Sequence, residues 1–178
     1  TVWGGIRYWQ LNVTTADPFG SASLGVIPSV GRLSYANDPG VAGYLLLAYG
    51  SLGGVTPGTG APLNFDLTGV TGARFSIYIV DPTGGTAQIA VEANGVTYTS
   101  PLVLIGAAAP TAYDVPFSAF TPGGLLANLN DVDGARYTFS GNPGWDVQLF
   151  SIGLTPEPTT MTLLGLGVLA LVRRRRKS

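Results

Sequence analysis

Near the end of the chain one carboxylate sits between two prolines, in Thr155-Pro156-Glu157-Pro158. Two rigid imino acids bracket the charge, and a helix tolerates either proline only in its first turn. The next 14 residues, 159–172, carry no charge, and Arg173, Arg174, Arg175, Arg176 and Lys177 follow them. Such a block of cations does not cross a bilayer cheaply and stays on the cytoplasmic side. Everything before Pro156 is therefore expected on the far side. At ~1.5 Å per residue the apolar run spans roughly 21 Å, against a hydrocarbon core of ~30 Å. Snorkelling of Arg173 and Arg174 adds reach. A buried helix is the alternative for so short a run, but a soluble core would not accommodate consecutive arginines. The expectation is a short C-terminal transmembrane helix.

Elsewhere the chemistry is sparse. The chain has no Cys and no His. The usual catalytic triads, most transition-metal sites and disulfides are thereby excluded. No nucleophile elbow, phosphate-binding loop or dinucleotide fingerprint is present. Paired carboxylates could hydrolyse glycosides. Yet Glu92 is the only Glu before the tail, and its ordinary reading is a solvated strand residue. The chain is expected to be non-catalytic, with a glycoside hydrolase the least favoured alternative.

Two groups could bind ligands. Asn128, Asn130, Asp131 and Asp133 crowd oxygens as a structural calcium requires. The alternative is a polar loop bonding its own backbone, and the full EF-hand spacing is missing. No other cofactor is implied. Stacking on a sugar needs exposed aromatics beside polar groups. Trp3, Tyr8, Trp9, Tyr98, Tyr113 and Trp145 are the aromatics considered, with Trp145, Tyr98 and Tyr113 the leading candidates. Trp145 follows the turn Gly141-Asn142-Pro143-Gly144, where loops present binding residues. Its alternative is a rim residue closing one end of a sandwich. Before the tail, four arginines face nine carboxylates. That acidic balance gives no surface for nucleic acid.

Stepping from side chains to the elements that hold them, Gly, Pro, Ser and Thr are evenly spread and apolar runs are short. This reads as strands joined by turns, an all-β chain. Strands are predicted at 6–13, 21–27, 32–35, 43–49, 63–66, 74–80, 87–94, 96–103, 111–115, 135–139 and 146–154. Breakers lie between them at Asp38-Pro39-Gly40, Thr56-Pro57-Gly58, 81–85 and 121–124. Asn94-Gly95 suits a type I′ hairpin turn. It sets Ala93 opposite Val96, Glu92 opposite Thr97, Val91 opposite Tyr98 and Ile89 opposite Ser100. Strand 146–154 is apolar on both faces and is expected to be central. It leads to Pro156 with almost no linker.

The tail resembles the PEP-CTERM sorting signal of Gram-negative bacteria, on Pro156-Glu157-Pro158, the apolar run and Arg173 to Lys177. The resemblance implies an exported protein, held in the inner membrane until an exosortase, a membrane protease, recognises Pro-Glu-Pro. Thr155 stands where that family often has Val, and the apolar run is on the short side. Gly4-Gly5-Ile6-Arg7 is similar to the start of some mature proteins of this kind. The chain opens at Thr1 with no apolar leader, so a mature form or a fragment is expected. From Leu63 to Leu154 the order resembles the galactose-binding-like jelly roll of many carbohydrate-binding modules. The residues concerned are Val115-Pro116-Phe117-Ser118-Ala119-Phe120 and Trp145-Asp146-Val147. This implies an antiparallel β-sandwich over 1–154, followed by a sorting tail over 155–178. Two functions fit: a structural or adhesive envelope or matrix protein, and a carbohydrate-binding module attaching to exopolysaccharide.

Overall fold

The structure, a computed structural model, describes residues 7–15, 20–27, 32–50, 62–79, 84–106 and 110–156. Its clearest local device is the predicted turn. Asn94 and Gly95 both take positive φ, 51° and 71°. They join β6 (Gly85–Ala93) to β7 (Val96–Thr99) in the predicted register, with Ala93 opposite Val96 and Val91 opposite Tyr98. Ile89 and Ser100 continue it, since Ser100 N donates to the Ile89 carbonyl at 2.8 Å. A β-branched side chain is strained at the φ of Gly95. Gly95→Val should therefore lower stability by about 1–2 kcal/mol. Urea denaturation would show this as a reduced midpoint; an unchanged midpoint would contradict the turn.

The remaining strands are β1 (Arg7–Thr15), β2 (Ala22–Ile27), β3 (Arg32–Asn37), β4 (Ala42–Gly50), β5 (Val70–Ile79), β8 (Val103–Ile105), β9 (Thr111–Pro116), β10 (Val132–Gly141) and β11 (Val147–Pro156). They form two antiparallel sheets. The larger is six-stranded, ordered β1-β4-β10-β6-β7, with β8 also on β6; the smaller is five-stranded, ordered β2-β3-β11-β5-β9. As expected, β11 is central, between β3 and β5.

Alternation of side chains fills the space between the sheets. Phe75 and Ile77 come from the smaller sheet, and Ile89, Tyr137 and Phe139 from the larger; all five are buried. Phe75 meets Phe139 edge-on across the core, with centroids 5.4 Å apart. Phe117 and Phe120 close one end against each other, also edge-on at 5.4 Å. Burial pushes the Tyr137 hydroxyl above its ordinary titration range.

Two predicted strands are corrected. Residues 63–66 form only a single bridge, Phe65 to Val132. Asn64 takes φ 48°, which breaks an extended run. The stretch 96–103 splits into β7 and β8, because Pro101 offers no N–H to a ladder. At the break the Ser100 hydroxyl accepts from Ile89 N at 2.9 Å in place of a backbone partner. Ile6, Val80, the turns at 56–58 and 81–83, Trp3, Gly4, Gly5, Glu157, Pro158 and 159–178 lie outside the described residues.

Candidate functional site

Trp145, a candidate stacking platform with a residue closing one end of the sandwich as its alternative, is 0% exposed, which favours the alternative. The reason lies in three glycines. Gly43, Gly141 and Gly85 stand side by side on β4, β10 and β6. Without side chains they leave a slot on the inner face; the indole lies over Gly141 and Gly85, and the Tyr35 hydroxyl lies by Gly43. A Cβ on Gly141 would come 2.2 Å from Trp145 Cδ2, and one on Gly85 2.5 Å from Cζ2. Tyr35 packs edge-on against the indole, with centroids 6.0 Å apart. Asp146, the next residue, accepts from Asn37 N at 3.2 Å and ties the start of β11 to the end of β3.

Tyr98 is also buried, at 3%, and its hydroxyl accepts from Asn128 Nδ2 at 2.6 Å. It too is corrected as a stacking surface. Tyr113 is half-buried, with one ring face stacked on Phe75 at 5.1 Å. Of the three candidates it alone keeps a surface.

Of the four residues proposed for calcium, Asn128 is engaged by neighbouring elements. Asn128 ends a 3-10 turn, Leu125–Asn128. Its amide donates to Tyr98 and to the Gly124 carbonyl, 3.1 Å, while its Oδ1 accepts from Asn94 Nδ2 at 3.2 Å. One of the four expected ligands is thus engaged at both ends. Among the described residues no group of three or more acidic or imidazole or thiol side chains could hold a metal.

A different surface gathers polar groups. With Leu45, Ala135, Tyr137, Ile89 and Val91 facing the core, the intervening residues of the larger sheet face outward. Strand pairing sets them in rows. Asn12, Tyr44, Ser140 and Thr86 form one, Gln10, Leu46, Thr138 and Gln88 the next, and Ala48, Arg136 and Ala90 a third. Tyr8 takes the register position beside Ala48 in the third row. Leu46 and Ala90 are 6% and 2% exposed although they lie on this face, so other groups close over them. Arg136 stands directly between Ala48 and Ala90, with Gln88 and Glu92 on either side of Ala90 along β6. Gln10 Nε2 donates to Asn12 Oδ1 at 3.2 Å, and Asn12 Nδ2 donates to the Tyr44 hydroxyl. Gln88 Nε2 donates to the Ser100 carbonyl at 3.3 Å. These bonds pre-position amides and a phenol on the same face as a guanidinium whose planar fork supplies five N–H donors. Such a face can take a ligand rich in hydroxyls.

The outer face of the smaller sheet is built differently. The Arg32 guanidinium lies 4.0 Å above the Phe150 ring and donates to Gln148 Oε1 at 3.1 Å. Arg74 grips Asp114 with two bonds of 2.7 Å. The Thr155 hydroxyl donates to the same carboxylate at 2.9 Å. The Arg74 hydrogen bond, and secondarily the Thr155 hydroxyl, hold the Asp114 carboxyl below its ordinary range. The contribution of this cluster is present at neutral pH and disappears as acid protonates Asp114 below that range.

β11 runs through Pro156, into the stretch assigned to the tail. Among the described residues no helix is long and apolar enough to cross a membrane, and 159–172 lie outside them. Residues 154–177 match the PEP-CTERM protein-sorting motif. A motif of this kind marks an exported protein handled at the membrane by an exosortase. A comparison with curated proteins returns no match. Among solved structures, the sandwich is similar to the family 11 carbohydrate-binding module of Clostridium thermocellum in complex with a β-1,3-1,4-mixed-linked tetrasaccharide. The TM-score is 0.52 at 15% identity, over 86% of this chain and 91% of that one. It is also similar to part of an agarase, with TM-score 0.53 and 11% identity, over 82% of this chain but 23% of the enzyme. At such identities the likeness is one of fold. The chain is a β-sandwich with the fold of carbohydrate-binding modules, ending in a PEP-CTERM sorting motif.

Proposed function

We propose that this is a non-catalytic envelope or matrix protein that attaches to exopolysaccharide through the outer face of its larger sheet. The observation that carries the reading is the outer face on which Arg136, Gln88, Tyr44 and Asn12 lie in successive rows, on a fold shared with a glycan-bound module. Sugars present hydroxyls that exchange hydrogen bonds with amides and a guanidinium, and a C–H face that packs on an aromatic ring. Export follows from the tail. Residues 159–172 would anchor the precursor in the inner membrane, with Arg173 to Lys177 on the cytoplasmic side. An exosortase would then act at Pro156-Glu157-Pro158. In this division 1–154 is the working domain and 155–178 the sorting tail.

Affinity gel electrophoresis of the purified protein in agarose-like, β-glucan and native exopolysaccharide gels tests the attachment. Retardation in at least one supports it, and none in any leaves the structural reading. That second reading draws on Leu102 and Leu104, which are 63% and 78% exposed at the edge formed by β8 and suit contact with another protein. A hydrolase would release sugar and lose the activity in Glu92→Gln; the proposal expects no release.

A further inference from the structure

We propose that the end of β11 acts as a latch on the sorting motif, and that residues up to Pro156 must peel from β5 before the membrane protease can take the motif. The inference rests on the sorting reading above and concerns its regulation. Pro156 is the first residue of Pro-Glu-Pro, yet it is still paired with Val70, and Thr155 with Gly72. A cleft that takes an extended peptide reads it through main-chain hydrogen bonds and alternate side chains. Just upstream of the motif, both are occupied by the sandwich. The main chain is laddered to β5, and Ile152 and Leu154 pack against the core. Thr155 is held twice more. Its hydroxyl donates to Asp114 at 2.9 Å, and its carbonyl accepts from Thr71 Oγ1 at 3.1 Å.

The same strand end is built to open. Pro156 brings no N–H to the ladder. The register slips between Thr155 and Pro156, and β3 accompanies β11 only as far as Leu149. Among the described residues β5 is then the one strand partner of 151–156. Strand ends of this kind fray at little cost while the core stays closed. Peeling therefore frees the approach to the motif without unfolding the sandwich.

The test follows loss of the tail by intact mass, over time, in cells that make the full precursor and the sorting protease. Thr155→Val keeps a β-branched residue in the strand but removes the bond to Asp114. It should speed processing about fivefold, the share of a hydrogen bond to a charged group at a partly exposed site. A Gly-Ser-Gly-Ser insertion between Thr155 and Pro156 should be at least as fast, and Thr155→Val should add nothing to it. Amide exchange should quicken at Thr155 and not at Leu149. If the unaltered precursor is never shortened, the sorting reading falls and the latch with it. If it is shortened as quickly as both variants, the latch alone is overturned.

Discussion

Replacing Trp145 by Ala is expected to lower the unfolding free energy by about 3–5 kcal/mol, the range for deleting a large buried aromatic. A domain of ordinary stability has about 5–15 kcal/mol in total, so the variant sits at or near unfolding. The indole is fully buried and fills the slot above Gly85 and Gly141; two glycines side by side cannot close over the void. The reverse change should be as damaging. Gly141→Ala puts a methyl group 2.2 Å from the indole, and neither the strand nor the ring can yield that far in a packed core. Urea denaturation read by tryptophan fluorescence and near-ultraviolet dichroism checks both. Midpoints equal to that of the parent would contradict the packing. One consequence concerns binding assays. Loss of polysaccharide retention in Trp145→Ala would report a damaged fold, not a lost contact.

Arg136→Ala, by contrast, is expected to remove polysaccharide binding while leaving the fold intact. The guanidinium is partly exposed on the outer face, and the residues directly opposite it on the two adjoining strands are Ala48 and Ala90. Truncation there should change stability by no more than about 0.5 kcal/mol. A hydrogen bond to a charged group contributes about 1.5–3 kcal/mol, so affinity should fall roughly tenfold to a hundredfold. Tyr44→Ala should weaken binding as well, through loss of the ring and of the anchor for Asn12. Retardation constants in affinity gels, with denaturation midpoints alongside, separate the two effects. Unchanged retardation in both variants would clear this face of any role.

How much of this could be read from the chain depends on range. The Asn94-Gly95 hairpin was legible because its turn and register are set within a dozen residues. The place of β11 was legible because a long, largely apolar strand suits a position flanked by strands on both sides. The tail was legible because its elements lie in linear order. The split at Pro101 and the kink at Asn64 carried local signals that the strand assignments passed over. The binding face carried none. Asn12, Tyr44, Ser140 and Thr86 meet because β1, β4, β10 and β6 lie side by side, and that order is fixed by packing across the whole domain. The same holds for Trp145. Its position after a turn argues for exposure, and the alignment of Gly85 and Gly141 from distant strands makes a place for it inside. Asn128 looked like a metal ligand because its partners Tyr98 and Asn94 come from the neighbouring hairpin.

The most direct measurement is a map of amide chemical-shift changes as a retained oligosaccharide is titrated into the isotopically labelled protein. Shifts concentrated on Asn12, Tyr44, Gln88, Arg136 and Thr138 are the predicted result. Shifts confined to the smaller sheet around Arg32 and Phe150, or none with any polysaccharide fragment, would contradict it.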